Sequence, residues 1–125
     1  FGLTASGIFR WRDDLPLNAF SDSDLNNDGF DRDRPGPDEG FSRFLKRNSF
    51  RGDDFSTLDI RLSYVFDLGS RYDLELIGEV FNALNADNFD SFEDEIYDGE
   101  VNPDFGEPLS AGQPRSYQLG IRFRF

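Results

Sequence analysis

The chain has 125 residues, one domain's worth at most, with 37% hydrophobic residues, which is low for a packed soluble core. Yet 16% of it is aromatic, fifteen residues being Phe. The net charge of −12 argues against nucleic-acid binding, and the absence of Cys and His removes disulfides, thiolate metal sites and the usual imidazole base and zinc ligand.

Residues 1–12 alternate. Leu3, Ala5, Phe9 and Trp11 face away from Thr4, Ser6, Arg10 and Arg12, with Ile8 the exception, which predicts a first strand. Residues 13–54 make a long connection holding eleven Asp/Glu and six Lys/Arg. Inside it lies Asp22-x-Asp24-x-Asn26-x-Asp28-Gly29-x-Asp31-x-Asp33. Alternating oxygen ligands, with Gly sixth from Asp24, match the front of a calcium loop. The EF-hand's closing Glu is absent, since position twelve is Pro35, and no helices flank the segment. An EF-hand is therefore excluded. What remains is a non-helical calcium loop with Asp22, Asp24, Asn26, Asp28, Asp31 and Asp33 as ligands. Hard oxygens favour calcium over zinc or copper. The other reading is an Asp/Asn turn whose side chains bond their own backbone.

A second strand is expected over 55–67. Leu58, Ile60, Leu62, Tyr64 and Phe66 share one face, and Thr57, Asp59, Arg61, Ser63 and Asp67 the other, with Val65 the one apolar member. Residues 67–71 form a short turn. The third strand, 71–83, alternates less cleanly: Tyr72, Leu74, Leu76 and Val80 oppose Asp73, Glu75 and Glu79, with Ile77 and Phe81 on the polar side. The connection 84–113 carries nine Asp/Glu and no base. The last strand, 114–125, sets Tyr117, Leu119, Ile121, Phe123 and Phe125 against Gln118, Gly120, Arg122 and Arg124.

Each strand is about ten residues, the length that crosses a bilayer at a tilt, whereas soluble strands average about five or six. No apolar run is long enough for a transmembrane helix. The expected fold is thus all-β: four antiparallel transmembrane strands of an outer-membrane β-barrel with two long acidic extracellular loops. Such barrels have short periplasmic turns and long extracellular loops. The 67–71 turn is then periplasmic, as are Phe1 and Phe125. Tyr64, Phe66, Tyr72, Phe123 and Phe125 fit an aromatic girdle at one interface. The competing reading of the alternation is the edge of a soluble β-sandwich. Asp59, Arg61, Glu75, Glu79, Arg122 and Arg124 neutralise one another across the lumen wall or line a transport path. The acidic loops serve hydration, divalent-cation binding or steering of a cationic ligand. No Ser has a base in sequence context, so no enzyme activity is expected.

The end of the chain, Gln118-Leu119-Gly120-Ile121-Arg122-Phe123-Arg124-Phe125, resembles the β-signal of outer-membrane proteins: polar, any, Gly, any, any, aromatic, any, aromatic. Gln118, Gly120, Phe123 and Phe125 occupy its specified positions. The resemblance implies that the barrel-assembly machinery reads this strand.

More of the chain is similar to the TonB-dependent receptors related to carboxypeptidase-regulatory-domain transporters. Asp24-Leu25-Asn26-Asn27-Asp28-Gly29 with Asp33-Arg34-Pro35 is similar to an extracellular loop motif there. So is Arg47-Asn48-Ser49 leading into Leu58-Asp59-Ile60-Arg61-Leu62-Ser63. Glu79-Val80-Phe81-Asn82-Ala83-Leu84-Asn85 resembles that family's Glu-x-Phe-Asn-x-x-Asn strand end, and Gln113-Pro114-Arg115 completes the series. The resemblance covers nearly all 125 residues, as a C-terminal tail, and implies nutrient uptake across the outer membrane. Such receptors have roughly 22 strands around a plug. Four strands cannot close a barrel, for which eight is about the minimum. The expected partners are the remaining strands and plug of a longer precursor, or copies of the chain itself in a self-assembling fibre or oligomer, together with outer-membrane lipid. The start at Phe1, with neither Met nor signal peptide, suits a trimmed or partial precursor.

Overall fold

The computed structural model describes residues 2–125; Phe1, placed by its sequence at the start of the first strand, lies outside them. The strands in chain order are β1 (Leu3–Arg12), β2 (Pro16–Leu17), β3 (Phe20–Asp22), β4 (Arg32–Asp33), β5 (Phe50–Arg51), β6 (Phe55–Asp67), β7 (Asp73–Phe81), β8 (Phe89–Phe92), β9 (Glu95–Tyr97), β10 (Pro108–Ala111) and β11 (Ser116–Arg124). One 3-10 turn, Pro37–Glu39, interrupts them. The protein is all-β.

The chain divides into two compact units. The first comprises, of the described residues, 2–12, 55–88 and 113–125. It is an antiparallel sheet in the order β1-β6-β7-β11. The β6–β7 hairpin closes through Leu68 N–H on Tyr72 O at 2.9 Å, and the Asp67 carboxylate accepts the Gly69 N–H at 2.8 Å. Gly69 sits at φ 117°, where a side chain would be strained.

The register sorts the side chains into two faces. Across one face run the rows Leu3–Tyr64–Leu76–Ile121, Ala5–Leu62–Gly78–Leu119 and Gly7–Ile60–Val80–Tyr117. Across the other run Ser6–Arg61–Glu79–Gln118 and Val65–Glu75–Arg122. The apolar face is the open one. Leu62 is 50% exposed, Ile121 74% and Leu119 88%, while Ser63 and Glu75 on the polar face are 7% and 8% exposed. Among the described residues the buried apolar side chains are Ala19, Ile96 and Pro35, and none belongs to this sheet. The sheet unit is therefore inside-out relative to a soluble domain. A soluble sandwich would bury Leu58, Ile60, Leu62, Leu119, Ile121 and Phe123; here Leu58 is half-buried and the other five are exposed.

The second unit comprises residues 13–54 and 89–112. Read from sequence, these were two long connections. They contain short strands instead. β2 pairs with β5, β8 with β10, and β3 lies between β4, antiparallel, and β9, parallel. Phe50 and Phe105 meet edge-to-face at 4.8 Å, and buried Glu39 accepts the Ser21 hydroxyl. Main-chain pairing thus orders these residues locally.

Candidate functional site

Four elements carry candidate chemistry: the polar face of the sheet, its rim, the acidic turn in residues 22–33, and the last strand.

On the polar face, opposite charges stand on neighbouring strands. Arg61 faces Glu79 in register and donates to it at 3.1 Å. Arg122 faces Glu75 and donates at 3.1 Å; Arg124 reaches the same Glu75 oxygen at 3.4 Å. Arg10 donates to Asp59 at 2.5 Å and to the Thr57 hydroxyl at 3.2 Å. The arginines are largely exposed, so each pair adds about 0–1 kcal/mol. Their larger effect is neutrality across a wall that is polar to water. A small cavity on this face, lined by Ile8, Asp59, Arg61, Glu79 and Phe81, encloses about 180 Å³.

At the rim, three Asn residues hold the strand ends together. Asn82, Asn85 and Asn88 all have positive φ, between 48° and 54°. Asn and Asp tolerate this region better than other side chains because they bond locally. Asn82 is 4% exposed. Its amide donates to Ala86 O at 2.8 Å and Gln113 O at 3.0 Å, and its carbonyl accepts the Ala86 N–H at 3.2 Å. Asn88 accepts the Ser56 N–H at 2.8 Å and donates to Ser56 O at 2.9 Å. Asn85 accepts the Arg115 N–H at 3.2 Å. Together they bind the chain leaving β7 to the start of β6 and to the segment entering β11. Sequence spacing assigned them no role; the available signal was Asn recurring every third residue at a strand end.

The six acidic-turn residues are divided. Asp24 accepts the N–H groups of Asp28 at 3.0 Å and Gly29 at 2.9 Å. Asn26 accepts the Asp28 N–H at 2.8 Å, and Asp28 accepts the Phe30 N–H at 3.0 Å. Asp33 takes the Asn26 N–H and side-chain amide, both at 2.9 Å. These side chains order the turn by bonding its own backbone. Asp31 makes no side-chain hydrogen bond among the described residues. Asp22 lies elsewhere: its carboxylate, with those of Glu95 and Asp98, forms the one acidic triad among the described residues whose oxygens lie within 4.8 Å of one another. Burial raises the pKa of Glu95, and Asp22, Asp98 and Glu93 push it the same way against Arg32.

A family model described as "Outer membrane beta barrel domain" matches residues 18–118. The inside-out sheet is what such a domain requires. The chain belongs to the outer membrane beta barrel domain family. Neither the comparison with curated proteins nor that with solved structures gives a match.

Membership places the barrel domain in the outer membrane. Barrels of this kind turn an apolar face to lipid, and the open face of this sheet is the apolar one. At about 3.3 Å per residue, the 13 residues of β6 reach roughly 40 Å, which projects to roughly 30 Å at a tilt near 40°. That covers the hydrocarbon core. Tyr72 stacks on Phe123 at 5.9 Å, Phe123 on Phe125 at 6.2 Å, and Tyr64 packs on Phe66 at 4.6 Å, all near the β6–β7 turn. Of the residues that resemble a β-signal, Gln118 and Gly120 lie on the polar face, paired with Glu79 and Ile77, and Phe123 on the apolar face, paired with Leu74.

Proposed function

We propose that this barrel domain is the C-terminal part of a TonB-dependent receptor that imports a nutrient across the outer membrane. The observation that carries the reading is an asymmetry. The connections β1–β6 and β7–β11 leave from the same end of the sheet and fold into short strands, while at the opposite end the one connection among the described residues is the Leu68–Tyr72 turn. Ligand capture needs folded, outward loops; a structural barrel needs only turns. The loops are then extracellular and the short turn periplasmic. The similarity of the loop and strand-end motifs supports the same family. β1 and β11 each have one neighbour, leaving a free main-chain edge that lipid cannot satisfy. Further barrel strands with a plug supply those partners, and the barrel-assembly machinery pairs the last strand during insertion.

The same free edges favour one other reading, a sheet subunit that pairs with copies of itself. Mass spectrometry of native outer membranes separates the two. A receptor predicts these peptides in a species several times heavier than 14.3 kDa, with ligand uptake lost when the proton-motive force is dissipated. A discrete 14.3 kDa species that oligomerises would overturn the receptor and leave self-assembly.

Calcium belongs to this reading as a stabiliser of the acidic turn. Asp24, Asn26, Asp28 and Asp33 stand around one turn, and each carboxylate oxygen that accepts an N–H keeps a further lone pair for a hard cation.

A further inference from the structure

The unit formed by residues 13–54 and 89–112 holds nineteen Asp and Glu against six Lys and Arg. Despite that excess, only two of the six bases form an ion pair among the described residues. Arg32 takes Asp94 at 2.7 Å and Arg51 takes Asp14 at 3.5 Å. Arg34, Arg43, Lys46 and Arg47 reach no carboxylate at ion-pair distance among the described residues; of these four, Arg34 and Arg47 are set apart by where they stand. Both line the same cavity of about 180 Å³, with Arg32, Asn18, Phe20 and Asp33. Half of the unit's bases therefore border one hollow. Arg32 is held there by Asp94 and by the Phe20 ring, 4.6 Å from its Cζ. The Asp33 carboxylate is engaged by the Asn26 backbone and amide.

A second cavity, of about 210 Å³, also borders Asp33 and Arg34; its other walls are Leu25, Asn26 and Phe44. The Phe44 ring lies against Gly36, where a Cβ would come within 2.4 Å of it, so the close approach requires glycine. A polar, arginine-lined hollow and an apolar one thus share two residues.

We propose that these two cavities bind a small amphiphilic oxyanion. Its carboxylate or phosphate head lies between Arg34 and Arg47, and its apolar substituent lies against Leu25 and Phe44. Guanidinium groups are weakly hydrated and present paired N–H donors that match oxyanion geometry. Each hollow, about 210 and 180 Å³, takes one end of a small ligand, and the two share the walls Asp33 and Arg34. The surrounding carboxylates repel anions that lack the fit, so selectivity comes from the pocket and not from the net field. This is a binding property of the folded loops and stands whether or not the protein is a TonB-dependent importer.

The test is isothermal titration of the intact outer-membrane protein, purified in detergent, with N-acetylphenylalanine, its uncharged amide, phenyl phosphate and inorganic phosphate. At least one of the two amphiphilic anions binds below millimolar, and the amide binds at least about tenfold more weakly than the acid if the acid is the ligand. The tighter of the two heads assigns carboxylate or phosphate. Arg34→Gln and Arg47→Gln each lower that affinity roughly ten- to a hundredfold, the size of one charge-assisted hydrogen bond. Both positions are exposed, so the substitutions leave the fold intact. Arg43→Gln, exposed and outside both cavities, leaves affinity unchanged. Phe44→Ala weakens phenyl phosphate and leaves inorganic phosphate unaffected. Absence of binding by both amphiphilic anions at millimolar concentration overturns the site. So does a loss with Arg43→Gln equal to that with Arg47→Gln, because diffuse charge would then be the cause.

Discussion

Replacing Asn82 by Ala is expected to destabilise the barrel by about 4 kcal/mol. Three side-chain hydrogen bonds vanish, to Ala86 O, Gln113 O and the Ala86 N–H, at a site that is 4% exposed. Each contributes about 1 kcal/mol net, and more where a buried partner is left unsatisfied. Asn82 also sits at φ 48°, where Ala is disfavoured by roughly 1 kcal/mol relative to a residue at ease there. Asn82→Gly removes the bonds but relieves the backbone, so it loses about 3 kcal/mol. Asn82→Asp keeps the acceptor for Ala86 N–H but sets a carboxylate against two carbonyl oxygens, and is expected to be the worst of the three. The backbone bond from Asn82 N–H to Asp59, at 3.0 Å, survives in all of them. Denaturant unfolding of the intact protein in lipid vesicles gives the ranking through the midpoints, provided the slopes agree. Hydrogen exchange at Ala86 localises the effect to the rim. Ala and Gly variants within 0.5 kcal/mol of the parent protein would refute the reasoning, because the Asn bonds would then contribute nothing beyond what water supplies.

Leu119→Arg on the apolar face is expected to destabilise the membrane-inserted protein by about 2–4 kcal/mol, while Gln118→Arg, opposite Glu79, has little effect; equal losses in a vesicle-unfolding assay would refute the face assignment. Phe125→Ala and Gly120→Asp are expected to reduce insertion, the second by placing a carboxylate beside Ile77, whose Cβ lies 3.6 Å from where the new Cβ would stand; unchanged surface levels of both in cells would count against a β-signal. Glu95→Gln is expected to protect β3–β9 from protease at pH 7. The folded pKa of Glu95 is raised, so its charged form costs stability above that value, and the penalty is lifted as pH falls through it toward the ordinary 4.5; the variant therefore loses this part of the pH dependence, and an unchanged pH profile would exclude the triad as its source. Calcium is expected to bind at millimolar or lower concentration and to slow proteolysis within residues 22–33, with chelator reversing it while the strands persist; no heat on titration would leave the Asp/Asn turn ordered by its backbone bonds alone.

Period-two alternation is local, so the all-β class was legible in Leu58–Phe66 and Tyr117–Phe125 without any tertiary information. A strand turns successive side chains to opposite faces whatever it packs against. The hairpin turn was legible for the same reason, since Asp67 and Gly69 act within three residues of each other. Even the apolar exceptions Ile8 and Val65 remain on the polar face, because the register leaves them no other. The rim was not legible. Asn82 and Asn88 act on partners up to 32 residues away, and a side chain's long-range partner leaves no trace in its neighbours. Grouping Asp22 with Asp24 through Asp33 followed proximity in sequence, but the parallel pairing of β3 with β9 carries Asp22 to Glu95 and Asp98. Charge counts put the acid in the two connections correctly, yet only folding decided which bases find carboxylates and which border a hollow. Local geometry is written residue by residue; ion pairing and cavities depend on which distant segments meet.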